Sequence, residues 1–160
     1  MSSWPVARDK IINLITNGEL EEIEPNPRFA TRLVEEAQMH MKSVDAIADF
    51  DYPGAFQLGY DATRKACAAL LASQGLRSTR DGGHIALADA VRVQFNGPHG
   101  SPAFLKIHGL RQSRAGSQYP RDSTPPITQD DANYCRETAQ EIIAAVETIL
   151  SSGKLGPFVI

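Results

Sequence analysis

The sequence is short of cysteine, of long apolar runs and of basic charge, and each shortage excludes something. Its two cysteines, Cys67 and Cys135, lie far apart among 160 residues, with no CxxC pair and no His-Cys cluster at zinc-ligand spacing. Both read as small core residues, and neither a metal nor a cofactor is expected. No stretch approaches the roughly 18 to 20 apolar residues that span a bilayer. The N-terminal MSSWPVARDK also lacks the apolar core of a signal peptide, so the expected address is cytoplasmic, with no membrane partner. A formal net charge of −3 argues against a wholesale electrostatic nucleic-acid binder. Any RNA contact must be local. Internal repeats, low-complexity tracts and strand-like alternation are also missing, which leaves an all-α reading.

The residues that are present describe one soluble domain, 42% apolar and 22% charged, long enough to bury a core unaided. A short first helix from about Pro5 to Asn17 ends at Gly18, and GELEEIEPNP follows as an acidic connector. Asn26-Pro27 opens a second helix that runs to about Asp49, with Phe29, Leu33, Ala37, Val44, Ile47 and Ala48 in one arc of about 100°. His40 falls inside the same arc. Asp51-Tyr52-Pro53 restarts the helix, Gly75 stops it, and Phe56, Tyr60, Thr63, Cys67, Leu70 and Leu71 form its buried stripe. Asp61 and Lys65 fall on the wet side and Arg64 at the stripe's edge.

SQGLRSTRDGGH reads as a loop, HIALADAVRVQF as a fourth helix and FNGPHGSP as its break. A helix from Pro102 or Ala103 stops before Tyr119-Pro120, because the residue before proline avoids the α region. The last helix begins at Thr128, with Asp131 at capping-box spacing, and buries Cys135, Ala139, Ile142, Val146 and Ile149 before Gly153. Four substantial helices behind a short leading one pack most simply as an antiparallel four-helix bundle. The expected division is a helix and connector over 1–25, a bundle over 26–152 and an apolar tail over 153–160. The tail ends in GPFVI, suited to lying over the bundle or into a partner.

The stretch LRQSRAGSQYP carries the strongest chemistry. On a helical wheel Ile107, Leu110, Arg111 and Arg114 share an arc of about 100°, so both arginines point with the apolar residues while Lys106, Gly109 and Ser113 lie opposite. A guanidinium keeps its charge and is costly to bury alone. These arginines therefore need either carboxylates on neighbouring helices or an anion such as RNA phosphate or a nucleotide, whose oxygens the planar fork matches.

GYDATRKACAALLASQGLRSTRDGGH, then LRQSRAGSQYP, then a closing amphipathic helix resemble the HEPN superfamily, in particular a stand-alone bacterial branch. The resemblance runs from about Pro27 to Leu150 and is most specific from Tyr60 to Arg77. It implies an all-helical bundle that forms a homodimer, with the arginine-bearing helices of two protomers meeting at a shared groove. Many HEPN proteins are metal-independent RNA endonucleases of toxin-antitoxin or defence systems, with an arginine, four to six residues and then a histidine.

This chain departs from that motif. The position reached from Arg114 holds Tyr119, the window from Arg111 holds Gly116, Ser117 and Gln118, and no histidine follows His108. Metal-free RNA cleavage needs a proton acceptor or donor near neutral pH, which histidine supplies and tyrosine ordinarily does not. The leading reading is a dimer with degenerate catalysis that binds RNA, a nucleotide or a protein partner through Arg111, Arg114, Tyr119, Arg64 and His40. A second reading is an endoribonuclease whose acid-base residue lies elsewhere, with His84 and His40 as sources of the imidazole. A third, also implied by the resemblance, is a partner of a nucleotidyltransferase that is nucleotidylated on Tyr119.

Overall fold

A computed structural model describes residues 6–160, apart from the side chains of Arg114, Ser117 and Gln118. The chain is mostly helical. In order it forms α1 (Arg8–Thr16), β1 (Leu20–Glu22), α2 (Pro27–Ile47), α3 (Tyr52–Gln74), β2 (Leu76–Ser78), α4 (Gly83–Phe95), a 3₁₀ turn (Pro102–Lys106), α5 (Ile107–Gln118) and α6 (Gln129–Ser151). Pro5 lies outside the described residues, but Gly18 takes the left-handed conformation (φ 76°) expected where the first helix ends.

Helix α3 occupies the centre, packed against α2 and α6 and touching α4 and α5. Its alanine-rich sequence makes this possible, since small side chains let neighbouring backbones come close. Gly59 marks the tightest approach to α6: a Cβ there would stand 3.0 Å from Cys135 Sγ. All six residues of the expected α3 stripe are buried, as are Cys135, Ala139, Ile142, Val146 and Ile149 on α6. The caps also follow the sequence. Asn26 accepts from the Phe29 amide, Asp51 from the Gly54 amide, and Thr128 with Asp131 forms the reciprocal capping box.

Three expectations are corrected. The acidic connector and the following loop are not wholly irregular, because Leu20–Glu22 pairs antiparallel with Leu76–Ser78, setting Glu21 opposite Arg77. Three-residue strands are too short to show alternation. They are held instead by buried Leu20 and Leu76 and by a 2.7 Å Arg77–Glu21 ion pair. Gly75 lets the chain enter this ribbon, with φ at 76° and a Cβ position only 2.7 Å from the Ile23 carbonyl oxygen. Phe29, expected in the core, is 39% exposed, because the buried stripe of α2 runs through Ala30, Val34, Ala37 and Met41 and leaves Phe29 at its edge. Arg32 covers the ring at 5.8 Å. Lys65, expected on the wet side, is only 21% exposed, because α2 brings Glu36 alongside and the two pair at 2.9 Å.

The apolar tail folds back. Phe158 is buried, and its amide donates to the Gln74 carbonyl at 2.8 Å. Among the described residues, no helix is long and apolar enough to cross a membrane.

Candidate functional site

Helix α5 is anchored by Leu110, which is 2% exposed and packs with Phe56, Tyr60 and Cys135, with Ile127 against the cluster. Ile107 faces inward with it, whereas Gly109 and Ser113 are exposed, so the helix turns the way its wheel predicts. Arg111 is consequently half-buried. Its Nε is buried with no hydrogen-bond partner, and among the described residues Arg111 makes no ion pair. The carboxylate partner that would make this arginine a purely structural element is not found. Arg114 lies on the same helix, with its side chain outside the described residues. Tyr119 caps α5 at φ −124°, ψ 63°, outside the α region that a following proline disfavours, and is 76% exposed.

Two contacts fix α4 beside α3 and α5. Tyr60, beside Leu110 in the buried cluster, holds its hydroxyl 3.1 Å from Nδ1 of His84 in the first turn of α4. Further along, His108 Nε2 meets Asp89 Oδ1 at 2.8 Å, and the same oxygen lies 3.4 Å from Arg92 Nη2. An ionised carboxylate only accepts, so Nε2 carries the proton and Asp89 fixes the imidazole. Neither pair was legible in the sequence. Tyr60 and His84 are 24 positions apart and Asp89 and His108 are 19 apart, separations with no local periodicity.

His40 and Arg64 lie on a second flank, between α2 and α3. Arg64 is 3.9 Å from Asp61, and Glu36 accepts from both Lys65 and Arg32, bonds that lower its pKa. His40, half-buried among these charges, titrates below its ordinary value, first through burial and then through the positive charge of Lys65. Tyr60 and Arg64 stand one turn apart on α3, which links this flank to the α4–α5 side.

A cleft of about 410 Å³ opens on the other side of α5, lined by Gln112, Ser113, Gly116, Thr124, Ile127 and Asp131 among others. Among the described residues, neither Arg111 nor any other cationic side chain lines it. Positive charge gathers in this part of the sequence: residues 90–121 include Arg92, Lys106, Arg111, Arg114 and Arg121 and not one Asp or Glu, although the chain as a whole is at −3. A guanidinium without a carboxylate, in a cationic stretch and next to positioned imidazoles, is suited to holding an oxyanion. Among the described residues, no group of three His, Cys, Asp or Glu could hold a metal ion.

The HEPN domain profile matches residues 29–149, from the first turn of α2 to the last turn of α6. The chain belongs to the HEPN family. The match covers more than half of the 160 residues and spans the positions of His40, Arg64, Arg111, Arg114 and Tyr119. Neither the curated proteins nor the solved structures compared with this HEPN chain gave a match.

Proposed function

We propose that this HEPN protein binds RNA or a nucleotide through Arg111 and Arg114 at a groove completed by a second copy of the chain. The observation that carries the reading is the buried Nε of Arg111, which has no hydrogen-bond partner and, among the described residues, no carboxylate to neutralise it. An orphaned donor of this kind costs free energy unless an acceptor arrives, and phosphate oxygens are the acceptors that fit a planar fork. In this reading residues 26–152 form the antiparallel four-helix bundle, 1–25 and 153–160 are additions to it, and Tyr119, Arg64 and His40 border the ligand. Tyr119 in place of histidine leaves the motif without its usual base, so catalysis is degenerate. The setting is cytoplasmic, within a toxin-antitoxin or defence system.

Titration of short RNA and of mononucleotides into the purified protein tests this, with sedimentation to read the dimer. Arg111→Ala with Arg114→Ala should abolish binding and leave the fold intact. Binding unchanged by that pair, or none by the wild type, overturns the reading.

Two observations favour other readings. The hydrogen bond of Tyr60 to His84 supplies a positioned imidazole near α5, which supports a metal-independent endoribonuclease. Cleavage of RNA in chelator that survives in Arg111→Ala would instead point to a contaminant. The exposure of Tyr119 at the end of α5 suits an acceptor for a nucleotidyltransferase partner. Intact mass after co-expression with such an enzyme should show an added nucleotide that Tyr119→Phe lacks.

A further inference from the structure

Arg111 is one of two arginines that, among the described residues, hold a buried donor without a partner. Among the described residues, three buried side-chain polar atoms lack a hydrogen-bond partner: Arg92 Nε, Arg111 Nε and Thr138 Oγ1. Two of the three belong to arginines on adjacent helices, and the contacts of α4 with the 3₁₀ turn and with α5 show how they are arranged. Phe95 packs against Phe104 at 6.0 Å between ring centroids, and Asp89 meets His108 at 2.8 Å. The facing residue thus moves forward from 104 to 108 as α4 is read backward from 95 to 89, and the two segments run antiparallel. Arg92 lies one turn from Asp89 in one direction, and Arg111 one turn from His108 in the other. Their backbone levels are then about 9 Å apart along the axis, with the imidazole between them.

Backbone levels that far apart leave room for each guanidinium to take its own phosphate. Asp89 does not quench the two orphaned donors, since its Oδ1 is engaged by His108 Nε2 and reaches only the terminal Nη2 of Arg92. Both arginines remain reachable: the Arg92 side chain is 38% exposed and Arg111 is only half-buried.

We infer that α4 and α5 form a track for a single-stranded nucleic-acid backbone, with two successive phosphates on Arg92 and Arg111 and the sugar between them against His108. This rests on the reading that Arg111 takes a phosphate, and adds a second contact and a direction. Asp89 serves as a positioning residue that aims both His108 and Arg92.

The test is the salt dependence of binding, measured by fluorescence anisotropy with a short single-stranded RNA, the same sequence as DNA, and a mononucleotide. Each phosphate contact contributes a slope of about 0.7 in log affinity against log salt for single strands. Arg92→Ala and Arg111→Ala should each make the slope shallower by about that amount, so a fourfold rise in salt costs each variant about 2.6-fold less than it costs the wild type. Mononucleotide binding should fall in only one of the two variants. Arg92→Lys, which keeps the charge and the packed stem, should retain the slope and so guards against a folding defect in Arg92→Ala. Equal affinity for RNA and DNA assigns the track to phosphate alone, while an RNA preference lost in His108→Ala assigns the ribose to His108; both support the track. If Arg111→Ala weakens binding and a folded Arg92→Ala leaves affinity and slope unchanged, the track is wrong and the single-phosphate site stands. If neither variant matters, both readings fall together.

Discussion

His108 and Asp89 meet at 2.8 Å across the α4–α5 contact, and the same carboxylate oxygen turns Arg92 toward the imidazole. One acceptor thereby orders two donors from different turns and joins the helices that carry the cationic stretch. Both side chains are mostly covered, His108 at 29% and Asp89 at 22% exposure, so the bond is shielded from water more than a surface pair would be.

Asp89→Asn should therefore destabilise the protein by about 1 kcal/mol, and a double-mutant cycle with His108→Gln should return a coupling of roughly 0.5 to 1 kcal/mol. Urea denaturation checks this. Additive effects would mean that the two residues do not interact in solution.

The depressed pKa of His40 has a pH signature of definite sign. A histidine that titrates lower in the folded state binds fewer protons there, so its contribution to stability is intact above its ordinary value of 6.5 and is lost as pH falls from 6.5 toward the folded value. Glu36, also lowered, adds a loss at more acid pH, as the solution is taken down from 4.5. The melting temperature should decline below pH 6.5 in the wild type and decline less in His40→Gln. Identical profiles would contradict the assignment.

Burial pushes the Cys67 thiol well above its ordinary range and the Cys135 thiol up to about 12, so neither is an accessible thiolate at neutral pH. A disulfide reagent should report no reactive thiol in the native protein and two after denaturation. Rapid native reaction would show that α3 and α6 open locally.

The face of α5 that holds Arg111 in place depends on Leu110. Leu110→Ala removes a fully packed side chain and should cost about 2 to 5 kcal/mol. Thr128→Ala, which breaks the capping box of α6, should cost about 1 kcal/mol. Thermal or denaturant melts measure both. In a variant that stays folded, looser anchoring of α5 should weaken phosphate binding in the Leu110 variant and leave it unchanged in the Thr128 variant.

Helix starts, helix ends and most buried faces were legible in the chain because they follow from short-range causes. Asn26, Asp51 and Thr128 cap the amides a few residues ahead, Gly18 and Gly75 take left-handed backbone, and the 3.6-residue repeat sets Leu110 inward and Ser113 outward. Inward placement of Arg111 follows from the same repeat. Phe29 escaped it, since the edge of a stripe is decided by what the neighbouring helix covers. The β1–β2 ribbon, the Lys65–Glu36 pair, the Tyr60–His84 bond and the Asp89–His108 bridge arose only in the folded chain. Each joins residues separated by 19 to 58 positions, where no local periodicity relates one partner to the other. What Arg111 faces belongs to the same class: its direction was written in the helix, whereas its lack of a partner among the described residues was decided only by the folded chain.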